Sequence, residues 1–156
     1  MLFLIAFALG FASGLRTFAP LAIFSGAILL GFLDLGAAGF AWLGSPWAFA
    51  VLAGLAVLEL LGDKSGRSPP RTSAPALGGR LLAGALIGAA AASTANAELV
   101  GAVFGALGAF IGAHAGQAAR SRASAMIGGN RIAGLAEDAL TVALAAGLVY
   151  ALTVIA

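Results

Sequence analysis

Cysteine is absent from the 156 residues, which excludes disulfides and thiolate metal sites outright. A single histidine, His114, gives no basis for a histidine-built metal centre. Charge is scarce too. Eight Lys plus Arg and six Asp plus Glu make 9% of the chain, against about 25% in soluble domains. A nucleic-acid interface needs a basic patch on a soluble face; none occurs, so no nucleic-acid partner is expected. No His-x-x-Glu-His motif, G-x-x-x-x-G-K-[ST] loop or well-surrounded Ser/His/Asp set is present. The chain is therefore not read as an enzyme, and no metal or cofactor is implied. Gly78-Gly79-Arg80 and Gly128-Gly129-Asn130-Arg131 could hold a phosphate, but such short strings are weak signals.

What remains is apolar. Hydrophobic residues make 62% of the chain and the mean hydropathy is +1.07, outside the soluble range. The reading is an all-α, polytopic transmembrane helical bundle forming one integral membrane domain over 1–156. The sequence pI of 9.9 comes mainly from arginines in two connecting segments, where they act as topology determinants. The N-terminal run resembles a signal peptide but lacks a basic n-region, so it is read as a retained membrane element.

Five apolar stretches are predicted, at about 1–32, 46–62, 79–96, 99–119 and 135–156, judged against the roughly 20 residues a span requires. The first is too long for one straight span and is interrupted at Ser13-Gly-Leu-Arg-Thr-Phe-Ala-Pro20. Pro20 and Gly14 loosen the backbone there, which predicts a broken or kinked helix with Arg16 at the break. Two short antiparallel pieces, or a re-entrant piece, fit the same pattern. Ser45-Pro46-Trp47 supplies a capping hydroxyl, a first-turn proline and an interfacial aromatic for the second stretch. The positive-inside rule puts connectors 63–78 and 120–134 in the cytoplasm, and the turns holding Asp34 and Glu98 outside.

Gly101, Gly105, Gly108, Gly112 and Gly116 form one face of the fourth stretch, and Gly84, Gly88 and Ala92 a matching face of the third. Such faces let helices approach closely; packing within the chain is the plain reading, a homodimer seam or sliding face the sharper one. Gly10-x3-Gly14 before Arg16 and Gly112-x3-Gly116 before Arg120 also form an echo of the kind inverted repeats leave.

The few charges border these apolar stretches. Arg16, Glu59, Asp63, Lys64, Arg120, Glu137 and Asp138 are expected to gather near the cytoplasmic edge, with Arg71, Arg80 and His114 as secondary polar candidates. Glu59 lies roughly one turn, about 6 Å, deeper than Asp63. Glu137 and Asp138 would also suit the first turn of the last span, meeting its helix dipole as caps. His114 is expected to point away from the glycine face and to bond a backbone carbonyl.

Several strings in order carry a resemblance: Ser13-Gly-Leu-Arg-Thr-Phe-Ala-Pro20, Trp42-Leu-Gly-Ser-Pro-Trp47, Glu59-Leu-Leu-Gly-Asp-Lys64, Pro70-Arg-Thr-Ser-Ala-Pro75, Gly79-Arg-Leu-Leu-Ala-Gly-Ala85 and Leu135-Ala-Glu-Asp-Ala139. Together they resemble the short bacterial membrane proteins of domain-of-unknown-function family 4126, over nearly the whole chain. The resemblance implies a multi-pass inner-membrane protein with no established activity, and recurring polar positions at Arg16, Glu59, Asp63, Lys64, Arg71, Arg80, Arg120, Glu137 and Asp138.

Two functions fit. One is a small transporter or channel-like bundle, in which Arg16 and Arg120 bind an anionic solute or lipid head group and the carboxylates balance them or carry protons. The other is a non-transporting membrane scaffold or accessory subunit, whose charges fix topology and packing.

Overall fold

A computed structural model describes residues 1–35, 39–63, 72–127 and 130–155; side chains at 63, 124–127 and 130–133 are outside the description. Six α-helices occur among these residues, and no strand. They are α1 (Leu2–Leu15), α2 (Ala19–Leu29), α3 (Pro46–Asp63), α4 (Ala74–Ala92), α5 (Glu98–Ile127) and α6 (Asn130–Ile155). Short 3₁₀ turns, Ala41–Gly44 and Ser93–Ala95, precede α3 and α5.

The first apolar stretch is two helices. Arg16 leaves helical geometry for an extended conformation (φ −136°, ψ 124°), and α2 begins three residues later. Pro20 sits in the first turn of α2, where its missing N–H is one of the donors left over anyway. It starts a helix here rather than kinking one. Ser45 accepts the Ala48 N–H at 3.1 Å and caps α3 as the sequence suggests. Asn96, in the left-handed conformation (φ 51°), makes the tight turn from α4 to α5.

Two boundaries differ from expectation. Residues 120–134 are largely helical, because α5 runs on to Ile127 and α6 starts at Asn130. The segment has no proline, and its alanines and arginines are good helix formers, so polarity alone does not end the helix. Likewise α4 starts at Ala74 rather than 79, with Pro75 in its first turn.

Glycine seams set the relative directions of the helices. On α5, Gly101 and Gly105 meet the backbone of Gly88 and Gly84, so α4 and α5 are antiparallel. Gly108 meets Phe7, and Gly112 meets Phe11, so α1 runs parallel to α5. A Cβ at Gly84 would lie 2.6 Å from that of Ala109, and one at Gly14 2.7 Å from the Ala113 amide. These backbones touch only because no side chain intervenes. The contacts of Gly101, Gly105, Gly108 and Gly112 lie within the chain, and Gly116 is buried. The parallel course of α1 and α5 also shows that their shared glycine–arginine pattern does not relate them by inversion.

On the other side, α6 returns antiparallel to α5, and α2 runs beside it: Asp138 lies at Arg16, while Tyr150 and Thr153 lie with Leu29, Leu30 and Phe32. The helices α1 and α2 are therefore two short antiparallel pieces meeting at Arg16. Phe49 packs on Gly26, and Ile28 on Gly44, bringing α3 back along α2. Direction alternates along the chain, and every helix has one end in the layer containing Arg16. The turns with Asp34 and Glu98 lie at the opposite end.

Among the described residues, three segments are long and apolar enough to cross a membrane: Ala74–Ala95, Glu98–Ala123 and Gly134–Ile155. Leu2–Leu15, Ala19–Leu29 and Pro46–Gly62 are apolar but shorter. Large apolar side chains face outward, among them Trp47 at 82%, Leu82 at 74% and Leu99 at 79% exposure. A surface of that kind matches a hydrocarbon solvent, as expected for a membrane protein.

Gly105→Ala should lower stability by about 1–3 kcal/mol, because a methyl group there collides with backbone. Gly54→Ala, which meets nothing within 4 Å, should be neutral or stabilising by up to about 1 kcal/mol. Unfolding of both variants in the same detergent checks the contrast.

Candidate charged site at the helix break

Three arginines and three carboxylates meet where α1 gives way to α2. Arg16 pairs with Asp138 of α6, Arg80 of α4 with Glu59 of α3 at 3.6 Å, and Arg120 of α5 with Glu137 of α6 at 3.9 Å. Their formal charges cancel. All six side chains are largely withdrawn from solvent, from 3% exposure at Arg16 to 15% at Arg120. In such surroundings an isolated charge is strongly disfavoured, and pairing is the way to keep each one ionised.

The break itself explains the inner pair. Ending α1 and starting α2 in the interior leaves backbone carbonyls and amides without helical partners. Arg80 reaches the first set: its Nη1 donates to the Gly14 carbonyl at 2.7 Å and the Leu15 carbonyl at 2.9 Å. Glu59 takes the second set, accepting the Thr17 N–H on Oε1 at 2.8 Å and the Phe18 N–H on Oε2 at 3.0 Å. A cation thus sits at the C-terminal end of α1 and an anion at the N-terminal end of α2, each favoured by the helix dipole it meets. Because the two capping groups also attract each other, α3 and α4 are tied together across the break.

The placement of the expected residues can now be stated. Arg16, Glu59, Arg120, Glu137 and Asp138 come together at one end of the bundle. Arg80, only a secondary candidate in the sequence, is central. Its signal was a lone arginine on the seventh residue of an otherwise apolar helix. Lys64, Arg71 and the side chain of Asp63 lie outside the described residues. Glu137 and Asp138 are not first-turn caps, since α6 begins seven residues earlier at Asn130. They stand two turns in and reach the arginines of α5 and α1. His114 is exposed on the outer side of α5, with Nδ1 2.8 Å from the Phe110 carbonyl. No group of three or more potential metal ligands occurs among the described residues.

Fold and site together define an all-helical, membrane-type bundle whose interior charges close a broken first helix. The chain belongs to the family described as domain of unknown function DUF4126, whose match covers residues 3–155. No curated protein and no solved structure matches it.

Removing one member of a pair should cost far more than removing both. Arg16→Ala, which strands Asp138, should destabilise by about 3–5 kcal/mol. Arg16→Leu combined with Asp138→Leu should recover most of that loss. Denaturant unfolding of the single and double variants in detergent measures the coupling.

Proposed function

We propose that the protein is a non-transporting membrane scaffold or accessory subunit, and that its charged site is a latch holding the helices in register. The observation that carries this reading is that the buried charges are paired within the chain. Arg16 and Arg120, the arginines expected from the sequence to bind an anion, each face a carboxylate of α6. Glu59 is engaged three times over, by two amides and by Arg80. An anion entering the site would have to displace these partners, and a proton taken by Glu59 would weaken the closure of the break.

In this proposal the membrane is the inner membrane of a bacterium, with connectors 63–78 and 120–134 on the cytoplasmic side. The short helices α1, α2 and α3 complete the bundle across the bilayer. The glycine seams are used up inside the chain, so a homodimer would have to form through the outer faces.

Transport is the second reading, and the broken helix favours it. Discontinuous helices ending beside buried charges form the solute sites of many secondary transporters. The two readings part on the charge-free double variant Arg16→Leu with Asp138→Leu. If the site is a latch, purified protein in liposomes carries no solute or proton flux above empty vesicles, and the double variant still folds and inserts. A flux that depends on pH and disappears in the folded double variant would overturn the scaffold reading.

A further inference from the structure

The outer face of α5 changes character along its length. Leu99, Val103, Leu107, Phe110 and Ile111 expose large apolar side chains, from 47% to 79%. One turn later the exposed residues become His114, Ser121 and Arg122. On a helix of 30 residues, about 45 Å long, such a switch marks passage from hydrocarbon to head groups. At that level lies a depression of about 350 Å³, lined by Thr72, His114, Gln117, Ala118 and Ser121.

Its hydrogen-bonding groups are already oriented. The Thr72 N–H (3.3 Å) and hydroxyl (3.1 Å) both meet Gln117 Oε1. An N–H only donates, so that atom is the amide oxygen, and the two N–H donors of Gln117 remain for another acceptor. The Phe110 carbonyl only accepts, so His114 Nδ1 carries a hydrogen and Nε2, the acceptor nitrogen of that tautomer, is left for a ligand. The imidazole is held against the Phe110 ring, with centroids 4.4 Å apart. Ser121 donates to the Ala118 carbonyl at 2.9 Å and keeps its lone pairs as acceptors. Arg122, exposed on the same turn, adds positive charge, and no carboxylate lines the depression among the described residues.

We infer that this depression binds the head group of an anionic, hydroxylated glycerophospholipid. Gln117 donates to the phosphodiester oxygens, His114 Nε2 and Ser121 accept from head-group hydroxyls, and an acyl chain lies along Val103, Leu107 and Ile111. The inference rests on the protein being embedded in a bilayer. It is independent of the latch, because none of these residues belongs to the three ion pairs.

The test uses the full chain purified in mild detergent. Phosphatidylglycerol, phosphatidylcholine and water-soluble glycerol 3-phosphate are titrated separately, with bound lipid read by native mass spectrometry and stability by melting temperature. Phosphatidylglycerol should bind one per chain and raise the melting temperature, with phosphatidylcholine weaker. His114→Leu and Gln117→Leu should each weaken phosphatidylglycerol about tenfold or more and leave phosphatidylcholine unchanged. His114 is exposed, so its variant keeps the test valid should Gln117→Leu fail to fold. Equal phosphatidylglycerol binding by wild type and His114→Leu would overturn the proposal. So would glycerol 3-phosphate binding as tightly as the lipid, which would mark a site for a soluble phosphate ester. Failure of the membrane reading is distinct: the protein would then stay soluble without detergent.

Discussion

A polypeptide that stops and restarts a helix in an apolar interior must find partners for the backbone groups it releases. Everything else in this fold follows from how that requirement is met at Arg16-Thr17-Phe18. Water, the usual partner, is unfavourable to admit there, and an unsatisfied amide or carbonyl in hydrocarbon costs several kcal/mol. The chain instead sends Glu59 from α3 to the amides and Arg80 from α4 to the carbonyls. Each capping charge would be untenable alone, and each is the other's counter-ion. The break is thus a joint to which two further helices are fastened.

The glycine seams and the charged layer depend on each other. Arg80 reaches the carbonyls at the end of α1 across helices, α1, α4 and α5, that lie almost backbone to backbone. Gly84, Gly88, Gly101, Gly105, Gly108 and Gly112 permit that approach. Among lipid chains, apolar burial gives little drive for helices to associate, so this dispersion contact and the ion pairs share the work. The outer ion pairs extend the same arrangement to α5 and α6, linking Arg120 to Glu137 and Arg16 to Asp138.

Much of this was legible in the chain, and the remainder was hidden for identifiable reasons. Hydropathy located the apolar elements, and Pro46 after Ser45 marked a helix start that the structure keeps. The break at Arg16 could be read from Gly14, Arg16 and Pro20. Its outcome, two antiparallel helices, could not, because that depends on α6 entering beside α2. The facing ends of α5 and α6 are not legible, because polar residues at the edge of an apolar stretch read as a connector. An alanine- and arginine-rich segment remains helical when leaving the bilayer. With the helix start hidden, Glu137 and Asp138 read as caps. Their actual partners, Arg120 and Arg16, are set by the packing of three helices. The central place of Arg80 is hidden for another reason: its acceptors, Gly14 and Leu15, are carbonyls of a distant segment, and carbonyls have no sequence signature. Gln117 and Thr72 escaped notice altogether, being ordinary polar residues until the approach to α4 crosses α5.

The central claim is that Glu59 closes the helix break by holding the Thr17 and Phe18 amides. Amide hydrogen exchange at those two positions tests it most directly. Both amides should be protected like helical ones in the wild type. In Glu59→Ala both should exchange much faster, while the amides of α5 at the glycine seam keep their protection. If Thr17 and Phe18 exchange like exposed loop amides in the wild type, or are unaffected by loss of Glu59, the account fails.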